Sequence, residues 1–221
     1  MTVTAMEQID EYEQGENVRK WLRQNGSSLV TGIALGLACV FAWQWWQGQG
    51  VRQQQEAATQ FAALTDAIDA NDTGRMASFA AVISSDFADS PYAALAALRV
   101  AAFQQSQGKT SDALATLAKV QATTKDPDLS EMLALRLARL ELIAGKPEDA
   151  DKQLASLGPS RFPAVADELR GDIAMAKGRR EEAKKAYLAA LTNLDEAAPT
   201  RRLVELKLID AGGQPPAQPE I

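Results

Sequence analysis

The apolar positions of this chain follow two patterns that meet near residue 50. From Leu29 to Trp46 the sequence reads LVTGIALGLACVFAWQWW, 18 residues without a charge. Wound as a helix, the run is about 27 Å long, close to the roughly 30 Å hydrocarbon core of a bilayer. Trp43, Trp45 and Trp46 end it and Trp21 precedes it, which puts amphipathic rings at both edges, where membrane–water interfaces favour them. The pattern predicts a transmembrane helix over 29–46.

Beyond Arg52 the spacing changes. Stretches such as Ser130-Glu-Met-Leu-Ala-Leu-Arg-Leu-Ala-Arg-Leu-Glu-Leu-Ile143 keep apolar residues at helical intervals, and no alternating segment of strand formers interrupts them. Three segments superimpose: Gly108-Lys-Thr-Ser-Asp-Ala-Leu-Ala-Thr-Leu117, Gly145-Lys-Pro-Glu-Asp-Ala-Asp-Lys-Gln-Leu154 and Gly178-Arg-Arg-Glu-Glu-Ala-Lys-Lys-Ala-Tyr187. A weaker fourth begins at Gly74-Arg75, so successive glycines lie 34, 37 and 33 residues apart. That is the period of a tetratricopeptide array. Each glycine suits the left-handed end of a first helix, and each acid suits the first turn of a second one. Ala113, Ala150 and Ala183 allow close helix approach, while Leu117, Leu154 and Tyr187 fill the space between hairpins. Pro91, Pro127 and Pro163 fall where first helices begin. The expected fold is all-α: one N-terminal transmembrane helix followed by a tetratricopeptide-like helical-hairpin array.

The expected organisation is a short segment over 1–28, the span over 29–46, the array over 47–210 and a disordered Pro/Gly-rich tail over 211–221. The first segment is polar, with a short amphipathic helix expected around Val18, Trp21 and Leu22. It carries five acids and lacks the basic start of a cleavable signal, and Cys39 sits mid-span, not at the end where a lipoprotein cysteine would be. Arg19, Lys20 and Arg23 precede the span and only Arg52 follows closely, so the N-terminus should stay cytoplasmic and the array should be exported. In a Gram-negative cell that places the chain in the inner membrane with its C-terminal domain in the periplasm. Gly32 and Gly36 form a G-x-x-x-G pair, a spacing that lets two membrane helices approach closely.

Composition narrows the chemistry. The chain has no histidine and a single cysteine, which removes the usual neutral-pH base, the common nucleophile pairs and cysteine-clustered metal sites. No phosphate loop, dinucleotide fingerprint or nucleophile elbow is present, so no catalytic residue, cofactor or metal is expected. With 23 basic and 29 acidic residues the chain lacks the basic excess of a nucleic-acid binder. The 19 basic and 24 acidic residues beyond Arg52 also disfavour a strongly acidic partner. What an array offers is a concave groove lined by first-helix side chains. The candidates are Leu95, Leu98 and Ala102, then Met132, Leu135 and Arg139, then Val165, Glu168 and Asp172. Some of these apolar side chains suit packing between helices equally well.

The acidic N-terminus, the span ending Trp-Gln-Trp-Trp, and the block Phe162-Pro-Ala-Val-Ala-Asp-Glu-Leu-Arg-Gly-Asp-Ile-Ala-Met-Ala-Lys-Gly178 resemble the YfgM-like ancillary subunits of the SecYEG translocon. The resemblance covers all but the Pro-rich tail. It implies a non-enzymatic inner-membrane adaptor with a periplasmic tetratricopeptide domain. Its implied partners are SecYEG, the membrane-anchored periplasmic chaperone PpiD and exported client chains. Two other readings stay open: a scaffold for a different envelope complex, and a regulator acting on a cytoplasmic response regulator through residues 1–28.

Overall fold

The structure is a computed structural model that describes the backbone of residues 3–216 and the side chains of residues 19–45 and 50–216. The side chains of Val18 and Trp46, and residues 217–221 of the expected tail, lie outside that range. In chain order the helices are α1 (Val3–Asp69), α2 (Thr73–Asp86), α3 (Pro91–Ser106), α4 (Thr110–Gln121), α5 (Pro127–Ile143), α6 (Pro147–Ala155), α7 (Pro163–Ala176), α8 (Arg180–Asn193) and α9 (Arg201–Asp210). No strand occurs among the described residues, as expected for the all-α class. The chain divides into residues 1–54 and residues 55–221.

The described residues of the first unit lie within α1. The chain's first proline is Pro91, so no ring interrupts the helical ladder before it, and the expected short helix around Trp21 is instead part of α1. An 18-residue stretch of this helix reaches a mean hydropathy of 1.7 with none of it buried against protein. It is the one helix among the described residues long and apolar enough to cross a membrane. Gly32 and Gly36 lie one turn apart on its exposed surface.

In the second unit each first helix ends on a left-handed residue: Asn71, Gly108, Gly145, Gly178 and Gly212, with φ of 54°, 74°, 74°, 72° and 87°. The next amide turns back onto the helix. Arg179 N donates to Ala174 O at 2.8 Å and Gly178 N to Met175 O at 3.0 Å, the two bonds of a Schellman cap. Lys109, Lys146 and Gly213 make the equivalent bonds to Gln104, Glu141 and Leu208. The cap of the first hairpin corrects the sequence reading. Gly74 lies in the first turn of α2, and Asn71 takes the left-handed position, 37 residues before Gly108, the spacing that also separates Gly108 from Gly145. Asparagine tolerates that conformation, and Asp72 then caps α2 by accepting from Arg75 N at 2.9 Å. At the other end Ala211 is buried and Gly213 closes the α9 cap, so packed structure includes residues that composition assigns to the tail.

A Cβ added at Gly178 would meet nothing within 4 Å, so substitution there tests the backbone alone. Gly178→Val should destabilise the array by about 2 kcal/mol, because a β-branched residue resists positive φ. Gly178→Asn should be far milder. Thermal melting followed by circular dichroism checks the pair, and an unchanged valine variant would contradict the cap.

The core consists of four clusters, each built from one hairpin and the first helix of the next. Leu64, Ile83 and Val100 join α1, α2 and α3; Ala101, Leu117 and Leu137 join α3, α4 and α5. Ala138, Leu154 and Leu169 join α5, α6 and α7, and Ala183, Tyr187 and Val204 join α7, α8 and α9. Ala113, Ala150 and Ala183 are fully buried, as their repeat positions require. Since no hairpin buries its own apolar face, the stability of each repeat depends on its neighbour.

Candidate functional site

The groove is positioned by α3, α5 and α7, three first helices whose side chains at one-turn intervals face the same way. Leu98 from α3, Met132, Leu135, Arg136 and Arg139 from α5, and Phe162 and Val165 at the start of α7 line a cavity of about 270 Å³. Five of the nine expected groove residues therefore meet in one place. Met132 and Val165 are 38% and 40% exposed, enough to touch a ligand. Leu135 is buried and belongs equally to the core cluster beneath, so it forms the floor. Leu95 is half-buried and lies outside the cavity lining.

Glu168 and Asp172 lie further along α7 and are already engaged. Lys207 of α9 donates to Glu168 Oε1 at 2.6 Å and to Asp172 Oδ2 at 2.7 Å. Tyr187 Oη donates to Asp172 Oδ1 at 2.8 Å. Burial, followed by the charge of Asp172, pushes the Tyr187 phenol far above its usual range, so it stays a proton donor. Arg139 Nη2 lies 3.5 Å from Glu168 Oε2 without forming a hydrogen bond. These two acids thus hold α9 against α7 rather than standing free for a partner. Arg136 donates to Gln105 Oε1 at 3.0 Å, and burial together with the nearby Arg139 charge holds it below the ordinary guanidinium value.

One buried carboxylate shapes the rim. Glu131, in the first turns of α5, accepts from the Ser160 hydroxyl and, with both oxygens, from Arg161 N at 3.1 and 3.0 Å. Ser160 Oγ in turn accepts from Phe162 N at 3.1 Å. Together with the Arg161–Asp128 ion pair at 2.9 Å, this side chain ties the loop between α6 and α7 to α5, and Phe162 is carried into the cavity wall. Burial raises the Glu131 carboxyl, but the hydrogen bonds and the Arg161 charge outweigh it and the group sits below the usual carboxylate range.

Sequence reasoning missed Arg136, Phe162, Glu131 and Lys207. Arg136 follows Met132 by one helical turn and was legible from that spacing, and Phe162 stands directly before Pro163. Nothing local marks Glu131 or Lys207, whose partners lie about 30 to 40 residues away. A second cavity of about 340 Å³ lies between α2, α3 and α4, floored by Ala93, Ala96, Ala97 and Val100. It carries a single charged lining residue, Lys119, and none of the groove positions. No group of three or more potential metal ligands occurs among the described residues.

The model of the tetratricopeptide repeat-like domain family matches residues 19–213, most of the chain. The chain belongs to this family. The match begins before the apolar span and ends at Gly213, where the α9 cap closes. As a tetratricopeptide repeat-like protein it is similar along most of its length to three bacterial proteins named "Ancillary SecYEG translocon subunit". The one from Escherichia coli K12 is 27% identical over 202 residues, covering 90% of this chain and 95% of that protein. The one from Haemophilus influenzae Rd is 25% identical over 81% of this chain and 87% of the relative. The one from Aggregatibacter actinomycetemcomitans is 26% identical over 90% and 97%. No solved structure matches the chain.

Proposed function

We propose that this chain is a non-enzymatic, single-pass adaptor of a SecYEG translocon, with its N-terminus inside and its helical array on the periplasmic side. The observation that carries this reading is the extent of the similarity. The relatives named as ancillary translocon subunits match this chain over nearly their whole length as well as its own, apolar span included. The basic residues Arg19, Lys20 and Arg23 before the span support the orientation. In this reading the groove around Met132 and Val165 holds apolar segments of exported chains, or of a membrane-anchored chaperone such as PpiD, beside the channel. A shallow cavity with two half-exposed anchors gives a weak, readily released grip, as transfer between partners requires.

A photoreactive residue placed at Met132 or Val165 in living cells should capture translocon subunits, a periplasmic chaperone or exported chains. Both side chains are exposed, so the replacement leaves the core intact. Capture of one fixed envelope partner, with no translocon component recovered from either position, would overturn the adaptor reading in favour of a scaffold.

A further inference from the structure

The last helix among the described residues, α9, has two faces of opposite character. Val204, Leu208 and Ala211 are buried in the cluster with α8. Arg201 fixes the start of the helix by donating to the carbonyls of Leu191 and Leu194 at 3.3 and 3.2 Å. Lys207 ties its flank to Glu168 and Asp172. On the opposite side Arg202, Leu203, Leu206, Ile209 and Asp210 are all exposed, with the three aliphatic residues 51%, 53% and 52% accessible. Terminal helices of repeat arrays ordinarily carry a polar outer face, because no further repeat covers them. This one carries a row of large aliphatic side chains one turn apart.

The row is symmetric about Leu206 in the placement of its aliphatic and charged residues, with charges of opposite sign at its two ends. Leu203 and Ile209 lie three residues to either side, and Arg202 and Asp210 lie four. Two such helices packed antiparallel around a twofold axis would place Leu206 against Leu206 and Leu203 against Ile209 of the second copy. Arg202 would then face Asp210 of the second copy at both ends. Parallel packing would instead set Arg202 against Arg202. An isologous contact needs a surface complementary to itself, and this one is complementary in both shape class and charge. A foreign helix would have no need for opposite charges equidistant from the central leucine.

The geometry points to the outer face of α9 as the contact surface for a second copy of this chain, paired antiparallel about Leu206. One short helix from each side buries less than the roughly 1,200 Å² typical of stable complexes, so pairing in dilute solution is weak. Two copies anchored in one membrane are held at high effective concentration, where such a contact is populated.

The test uses the full-length chain in inner-membrane vesicles, with Cys39→Ser removing the native thiol. Leu206→Cys treated with a short bis-maleimide should give a species of twice the chain mass. Its yield should be about tenfold above that of Lys119→Cys, an exposed control on α4. Arg202→Glu or Asp210→Arg added singly should lower the yield about tenfold, since two ion pairs are replaced by repulsion, and the two reversals together should restore it. Melting curves of the variants verify that these exposed substitutions leave the fold intact. The proposal is overturned if Leu206→Cys links no better than the control, if it links only to a different protein, if single reversals change nothing, or if the double reversal fails to restore the dimer.

Discussion

Gly171→Ala should lower the stability of the array by about 3 kcal/mol, near the upper end of what overpacking a core costs. The physical reason is contact, not backbone freedom. A Cβ at this position would lie 2.3 Å from Cε1 and 2.5 Å from Cδ1 of Tyr187, inside the ring's own volume. Tyr187 cannot swing away freely, because it is buried and its hydroxyl is bound to Asp172. The other repeats show how the space is otherwise shared. Where α7 and α8 pair Gly171 with Tyr187, α3 and α4 pair Ala101 with Leu117, and α5 and α6 pair Ala138 with Leu154. The double variant Gly171→Ala with Tyr187→Leu should therefore recover much of the loss, short of the missing Tyr187–Asp172 bond. For a chain of this size a 3 kcal/mol change corresponds to a melting shift of roughly 6–12 °C. A double-mutant cycle by thermal melting checks the coupling; strictly additive effects would show that the helices do not share that space.

Replacing Glu131 with alanine should cost about 3 kcal/mol and loosen the rim of the groove. Hydrogen bonds to a charged acceptor contribute roughly 1.5–3 kcal/mol each, and the Arg161 amide and Ser160 hydroxyl lose their acceptor together. The effect depends on pH with a definite sign. Since the folded carboxyl lies below its unfolded value, its contribution is complete above about pH 5, where the unfolded group is also ionised. It is lost as the pH falls through the folded value, at the acid end. The stability difference between the native chain and Glu131→Gln should accordingly shrink from pH 6 toward pH 3. Denaturant unfolding at several pH values measures this, and a difference that stays constant would mean that the ionised form is not what the loop recognises. Since Phe162 depends on Ser160, Glu131→Ala should also weaken crosslinking from Val165, although residue 131 does not line the cavity itself.

The sequence by itself determined the helix long and apolar enough to cross a membrane, the all-α class and the hairpin period. Each rests on an interaction local in the chain: a charge-free run long enough for a bilayer, apolar residues returning each helical turn, and glycines that end helices without a Cβ. The same locality explains the misplaced first cap. Glycine spacing points to Gly74, while the backbone uses Asn71, the other residue type that accepts positive φ at moderate expense. The convergence of Leu98, Met132, Leu135, Arg139 and Val165 was legible as well, because the repeat places equivalent positions on one surface. Only the tertiary structure decided what the polar residues do. Glu168 and Asp172 share the groove register with Leu135 and Arg139, yet Lys207 neutralises them from a helix 35 to 39 residues away. Glu131 reads in sequence as an ordinary surface acid and is instead buried beneath a loop about 30 residues distant. Helical periodicity fixes which side of a helix a residue occupies; which charge meets it across the packed layers depends on contacts between segments far apart in the chain, and no local pattern encodes them.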